Sequence, residues 1–173
     1  LDAYLAYLQA RTLLAGDRVA DVQQAIEQLQ RAVELDPDFA AGYIGLAEAG
    51  MFLAEYDVTQ DRQARFEAAL TDGLGLVERA LSVDPDHGDA YLVRASLRAF
   101  TDLAAAEADY RRGLQLSPNS AKGYHGLAVV LYETPARRDE ALAMLDRALE
   151  LDPLQPAYDV TKAVFLLYER GDV

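Results

Sequence analysis

Four stretches of this 173-residue chain stop in the same way: Leu35-Asp36-Pro37, Val83-Asp84-Pro85, Leu116-Ser117-Pro118 and Leu151-Asp152-Pro153. The prolines lie 48, 33 and 35 residues apart. Proline lacks the N–H that a helix interior needs, and it drives the residue before it away from helical geometry. Each site is therefore a break between helices. The same residue types recur around every break. Five positions before the proline stands a small residue (Ala32, Ala80, Gly113, Ala148), and eight before it a larger one (Leu29, Val77, Tyr110, Leu145). Twelve before it is another small one (Ala25, Gly73, Ala106, Ala141), and five or six after it a tyrosine (Tyr43, Tyr91, Tyr124, Tyr158).

Between the breaks, apolar residues recur at spacings of three and four, as in Ala25-Leu29-Ala32-Val33 and Ala141-Leu145-Ala148-Leu149. That is helical periodicity, and no segment alternates at period two, so a sheet is not expected. The small residues let two helices approach, the larger one fills the space between them, and the tyrosine packs its ring with its hydroxyl free to reach a polar edge. The pattern predicts about nine helices, near 2–15, 18–35, 38–56, 61–83, 87–101, 103–116, 120–133, 136–151 and 156–170. About fourteen extra residues around Glu55 to Arg65 carry no Pro or Gly, which predicts that both flanking helices are longer by about two turns. Thr134-Pro135 marks a hairpin turn, and Gly171-Asp172 reads as a turn towards a further helix.

These marks resemble the tetratricopeptide repeat, a helical hairpin of about 34 residues. The resemblance spans nearly the whole chain. It implies an all-α solenoid, a right-handed superhelix of helix-turn-helix repeats forming one domain over 1–173. The repeats would lie at about 2–37, 38–85, 86–118 and 119–153, with a partial one at 154–173. In such an array the first helices line the inner surface, and positions one, five and eight past each tyrosine share one helical stripe. Here these are Ile44, Glu48 and Met51, then Leu92, Ser96 and Ala99, then His125, Val129 and Tyr132. A looser alignment of the first repeat adds Tyr7, Arg11 and Leu14. Extended concave surfaces of solenoids bind partners, so this stripe is the expected groove for a peptide or protein segment.

Some members of the family hold a C-terminal carboxylate with a Lys one residue past the aromatic and an Asn four residues later. The corresponding slots read Ile44 and Glu48, Leu92 and Ser96, His125 and Val129, so that mode is not expected. A mixed groove suits an amphipathic helix or an extended peptide. The divergent first repeat and the long second one resemble the repeat portions of bacterial signalling proteins, which follow a cyclase or winged-helix domain. A portion of such a protein is expected, as the start at Leu1 also suggests. Two alternatives stand beside this: an oligomerisation module, or an accessory region of a cyclase or sulfotransferase lying outside the chain. The final helix bears Val160, Val164 and Leu167, which a second copy would cover in a homodimer.

Composition narrows the function classes. Sixteen Lys and Arg against 29 Asp and Glu leave a net charge of −13, which repels a phosphate backbone, so no nucleic-acid partner is expected. No apolar run approaches the ~20 residues of a membrane span. With no Cys, thiolate catalysis and Cys-based zinc sites drop out. Asp84, Asp86, His87 and Asp89 cluster, but a helix begins too soon for a calcium loop, and Asp86 reads as a helix cap. The glycines at 42, 45, 50, 73 and 75 lack the strand and Lys-Ser/Thr of a phosphate loop. No catalytic residue, metal or cofactor is expected, and the chain is not read as an enzyme.

Overall fold

A computed structural model describes residues 1–16 and 18–170, with side chains through Tyr168. Among the described residues there are nine α-helices and one short 3-10 turn, and no strand. They are α1 (Asp2–Leu14), α2 (Val19–Leu35), α3 (Ala40–Glu55), α4 (Arg62–Val83), α5 (Gly88–Arg98), α6 (Leu103–Leu116), α7 (Ala121–Tyr132), α8 (Arg138–Leu151) and α9 (Pro156–Arg170). The 3-10 turn covers Pro135–Arg137, behind Thr134. The expected turn at Gly171-Asp172 lies outside the described residues.

Each break is built as its sequence dictates. The residues before the prolines are extended: Asp36 has φ −143° and ψ 93°, Asp84 −131° and 92°, Ser117 −125° and 72°, Asp152 −142° and 83°. Pre-proline sterics demand this, and the helix ends there. The aspartates then close a small turn on their own backbone, Oδ1 accepting from the N–H of Asp38 (3.1 Å), Asp86 (3.2 Å) and Leu154 (3.4 Å). This turn occupies the proline and its successors, so the next helix begins three residues past each proline rather than at it. Asp86 is not the cap of α5; His87 holds that position, and the Asp86 carboxylate accepts from Arg112 at 2.8 Å. Two of the recurring tyrosines tie the turn down. Tyr43 and Tyr91 each donate their hydroxyl to the carbonyl of the proline six residues earlier, both at 3.1 Å.

The helices pair in sequence as α1–α2, α3–α4, α5–α6 and α7–α8, and each pair packs on the next. The buried residues fall into three clusters in a row, spanning α1–α3, α3–α5 and α5–α9, instead of one centre. That is the architecture of a solenoid. The recurring small and large positions are its joints: Ala25, Leu29, Ala32, Val77, Ala80, Ala106, Ala141, Leu145 and Ala148 are wholly buried. The extra length of the second hairpin is shared unequally. With 22 residues, α4 exceeds the 14 of α6 and α8 by about two turns. At 16 residues, α3 exceeds the 11 and 12 of α5 and α7 by only about one turn, and the chain turns through 56–61. There the Asp57 carboxylate accepts from the Thr59 N–H at 2.8 Å, a turn for which neither Pro nor Gly is needed.

Candidate functional site

The first helix of each hairpin faces a common hollow of about 520 Å³. Its wall takes Tyr7, Arg11 and Leu14 from α1, Ile44 and Glu48 from α3, and Leu92 and Ser96 from α5. These seven predicted groove residues are thus brought together. The other five are not at the hollow. Met51 is buried among the residues of the second cluster. His125 meets Thr161 of α9, Nε2 to Oγ1 at 3.0 Å, with its ring 4.9 Å from that of Tyr158. Tyr132 stacks on Phe165 at 3.7 Å and donates its hydroxyl to the Phe165 carbonyl at 2.7 Å. Ala99 and Val129 border a separate depression of about 380 Å³ with Phe100 and Leu103.

Asp89 and Lys122 also line the hollow, although the tyrosine-based stripe omits them. Both stand two residues before their tyrosine, as does Ala41, another wall residue. One helical turn back along the same stripe reaches them, since residues three apart share a face. That extension was the available signal. His87, capping α5, adds an imidazole whose Nδ1 is buried without a hydrogen-bond partner.

The hollow is of mixed character. Arg11 donates to the Tyr7 hydroxyl at 3.1 Å and lies 5.9 Å from its ring centre. That bond raises the Arg11 pKa above the ordinary arginine value. Glu48 is exposed to the hollow, yet walled by protein on several sides. Lost solvation pushes its carboxyl above the usual range, the pull of Lys122 opposing and the repulsion of Asp89 adding to it. The Tyr110 phenol, from α6, is 6% exposed, and burial pushes its pKa up to about 12. Among the described residues no three His, Asp or Glu side chains are grouped to hold a metal ion. No described helix is long and apolar enough to cross a membrane.

Behind the hollow, α5 and α6 are clamped by charge. Asp109, 5% exposed, receives both Arg94 Nε and Nη2 (2.8 and 2.7 Å) and Arg98 Nη1 (2.8 Å). Such a bidentate carboxylate–guanidinium pair fixes orientation as well as distance. A second network joins Glu107 to Arg111 and Arg137, holding the Glu107 carboxyl well down, at about 2.

No family model matches the chain. Among curated relatives, the transcriptional regulator HilA of Salmonella typhimurium is 24% identical, over 99% of this chain and 30% of its own length. Cellulose synthase operon protein C of Xanthomonas axonopodis pv. citri is 34% identical over 78% of this chain, which is 10% of that protein. The chain therefore spans less than a third of either relative. Among solved structures, TTC0263, a thermophilic TPR protein of Thermus thermophilus, superposes with a TM-score of 0.77 at 29% identity. The match covers 96% of this chain and 82% of that one.

Proposed function

The chain is an all-α tetratricopeptide-repeat solenoid, and from that premise we propose that it is a non-catalytic interaction scaffold, one domain over 1–173, that takes a peptide or protein segment in its concave hollow. The observation that carries this is the convergence of four successive first helices on one space, lined by apolar, aromatic and charged side chains together. Isolated surface helices do not create such a space, and pockets of this mixed kind bind and orient ligands. The likeness to HilA across 99% of the chain supports a place within a longer bacterial regulator. Reading the coding sequence on both sides tests that placement.

The groove itself is tested by plugging it. Ser96 is exposed on the wall of the hollow, so Ser96→Trp fills the space without entering the core. Panning a library of displayed decapeptides against wild type and against Ser96→Trp should enrich binders on the first and lose them on the second. Equal recovery on both removes the groove.

A second reading rests on α9. Val160, Val164 and Leu167 are 62%, 41% and 44% exposed, while Tyr158 and Phe165 are buried. Self-association through that face would show as a rise in sedimentation coefficient with concentration, abolished by Val164→Glu.

A further inference from the structure

The position filled by Leu29, Val77 and Leu145 in the first, second and fourth hairpins is Tyr110 in the third, α5–α6. The aliphatic residues there are wholly buried and end in carbon. Tyr110 is longer, and it fits because Gly126 of α7 has no side chain. A Cβ at Gly126 would lie 2.4 Å from the phenol oxygen. The result is a phenol on the wall of the hollow, with no hydrogen bond from its hydroxyl to any described residue. The ring is buried but the hydroxyl opens to the hollow, where a ligand acceptor can take the place of water. Burial also keeps this phenol protonated, hence a donor.

Glu48 is the second unspent group. Among the described residues it has no ion-pair or hydrogen-bond partner, and it is partly desolvated. A carboxylate in that condition gains more from an incoming cation than a solvated one does. The other charges of the hollow differ. Arg11 is already engaged with the Tyr7 hydroxyl and ring, and Lys122 is exposed in the first turn of α7. Asp89 stands in the same hollow as a second carboxylate, and the net charge of −13 steers cationic ligands towards the chain.

We propose that the occupant of the hollow is an extended peptide that delivers a Lys or Arg side chain to Glu48 and presents a backbone carbonyl to the Tyr110 hydroxyl. This deepens the groove reading and rests on it. The probe is a random decapeptide library displayed on phage and panned against the whole chain, followed by synthesis of the enriched peptides. The expected winners carry Lys or Arg at one fixed position. They bind Glu48→Gln about tenfold more weakly. Changing that basic residue to Gln costs little further on this variant, which marks the two groups as partners. Tyr110→Phe keeps the ring and the fold and weakens every winner about fivefold, the loss of one hydrogen bond, whatever the peptide's charge. No enrichment on wild type sinks the groove and the inference together. Winners that are acidic or neutral, and that respond to Lys122→Gln instead of Glu48→Gln, overturn the inference and leave the groove standing. Winners indifferent to Tyr110→Phe overturn the carbonyl contact.

Discussion

The same stripe of first-helix positions meets opposite fates at the two ends of the molecule. On α1, α3 and α5 it borders an open hollow with unspent polar groups. On α7 the equivalent His125 and Tyr132 are taken up by α9. Position within a repeat thus decides which way a side chain points, and the neighbouring repeat decides whether it stays available. A groove predicted from one repeat needs the next one laid over it before its residues can be counted.

Substitutions can break that contrast, and the largest effect is expected at the covered end. Tyr132→Ala removes a stacked ring and a buried hydrogen bond and should cost about 4 kcal/mol, read by chemical denaturation. Amide exchange should show α9 losing protection first. The same truncation at Leu14, half-buried on the hollow wall, should cost about 1 kcal/mol or less. Equal losses at the two sites would erase the distinction.

Between the two ends, Asp109→Ala removes the bidentate partner of Arg94, whose side chain is 14% exposed and keeps only the exposed Glu78 at 2.9 Å. Losing one member of a buried pair should cost about 3 kcal/mol, checked by the midpoint of urea unfolding. A change within about 0.5 kcal/mol, the scatter of surface substitutions, would mean that the clamp contributes orientation without stability.

A subtler test uses pH. Burial depresses the His125 pKa below its ordinary value, so the folded protein holds fewer protons at this site than the unfolded chain. The stabilisation is complete above pH ~6.5, the unfolded value, and is lost as pH falls towards the folded one. Tyr158 and Thr161 face this imidazole. The protection factors of the α9 amides, corrected for the pH dependence of intrinsic exchange, should fall as pH drops from about 7.5 to about 5.5, and His125→Gln should flatten that dependence. The smallest effect belongs to Glu48→Gln, which should leave stability within about 0.5 kcal/mol and show itself only in binding.

Much of the fold was legible because its marks are local. A proline forbids helix, an alanine twelve or five residues earlier permits contact, and both constraints act within one hairpin. The unequal lengthening of α3 and α4 was not legible, since the turn at Asp57 and Thr59 is made by side-chain hydrogen bonding at residues that helices also tolerate. The covering of His125 was hidden for another reason: it depends on Thr161, thirty-six residues on. Tyr110 was visible as the odd member of an aliphatic column. What it does became apparent only once Gly126 was seen opposite its ring.

The division of the interior into three clusters in a row has a mechanical consequence. No single centre resists bending, so flexure is shared among the joints, and a small rotation at each adds along the axis. A ligand spanning several first helices could therefore close the curve around itself by many slight adjustments, as a coil spring tightens, with no one hinge.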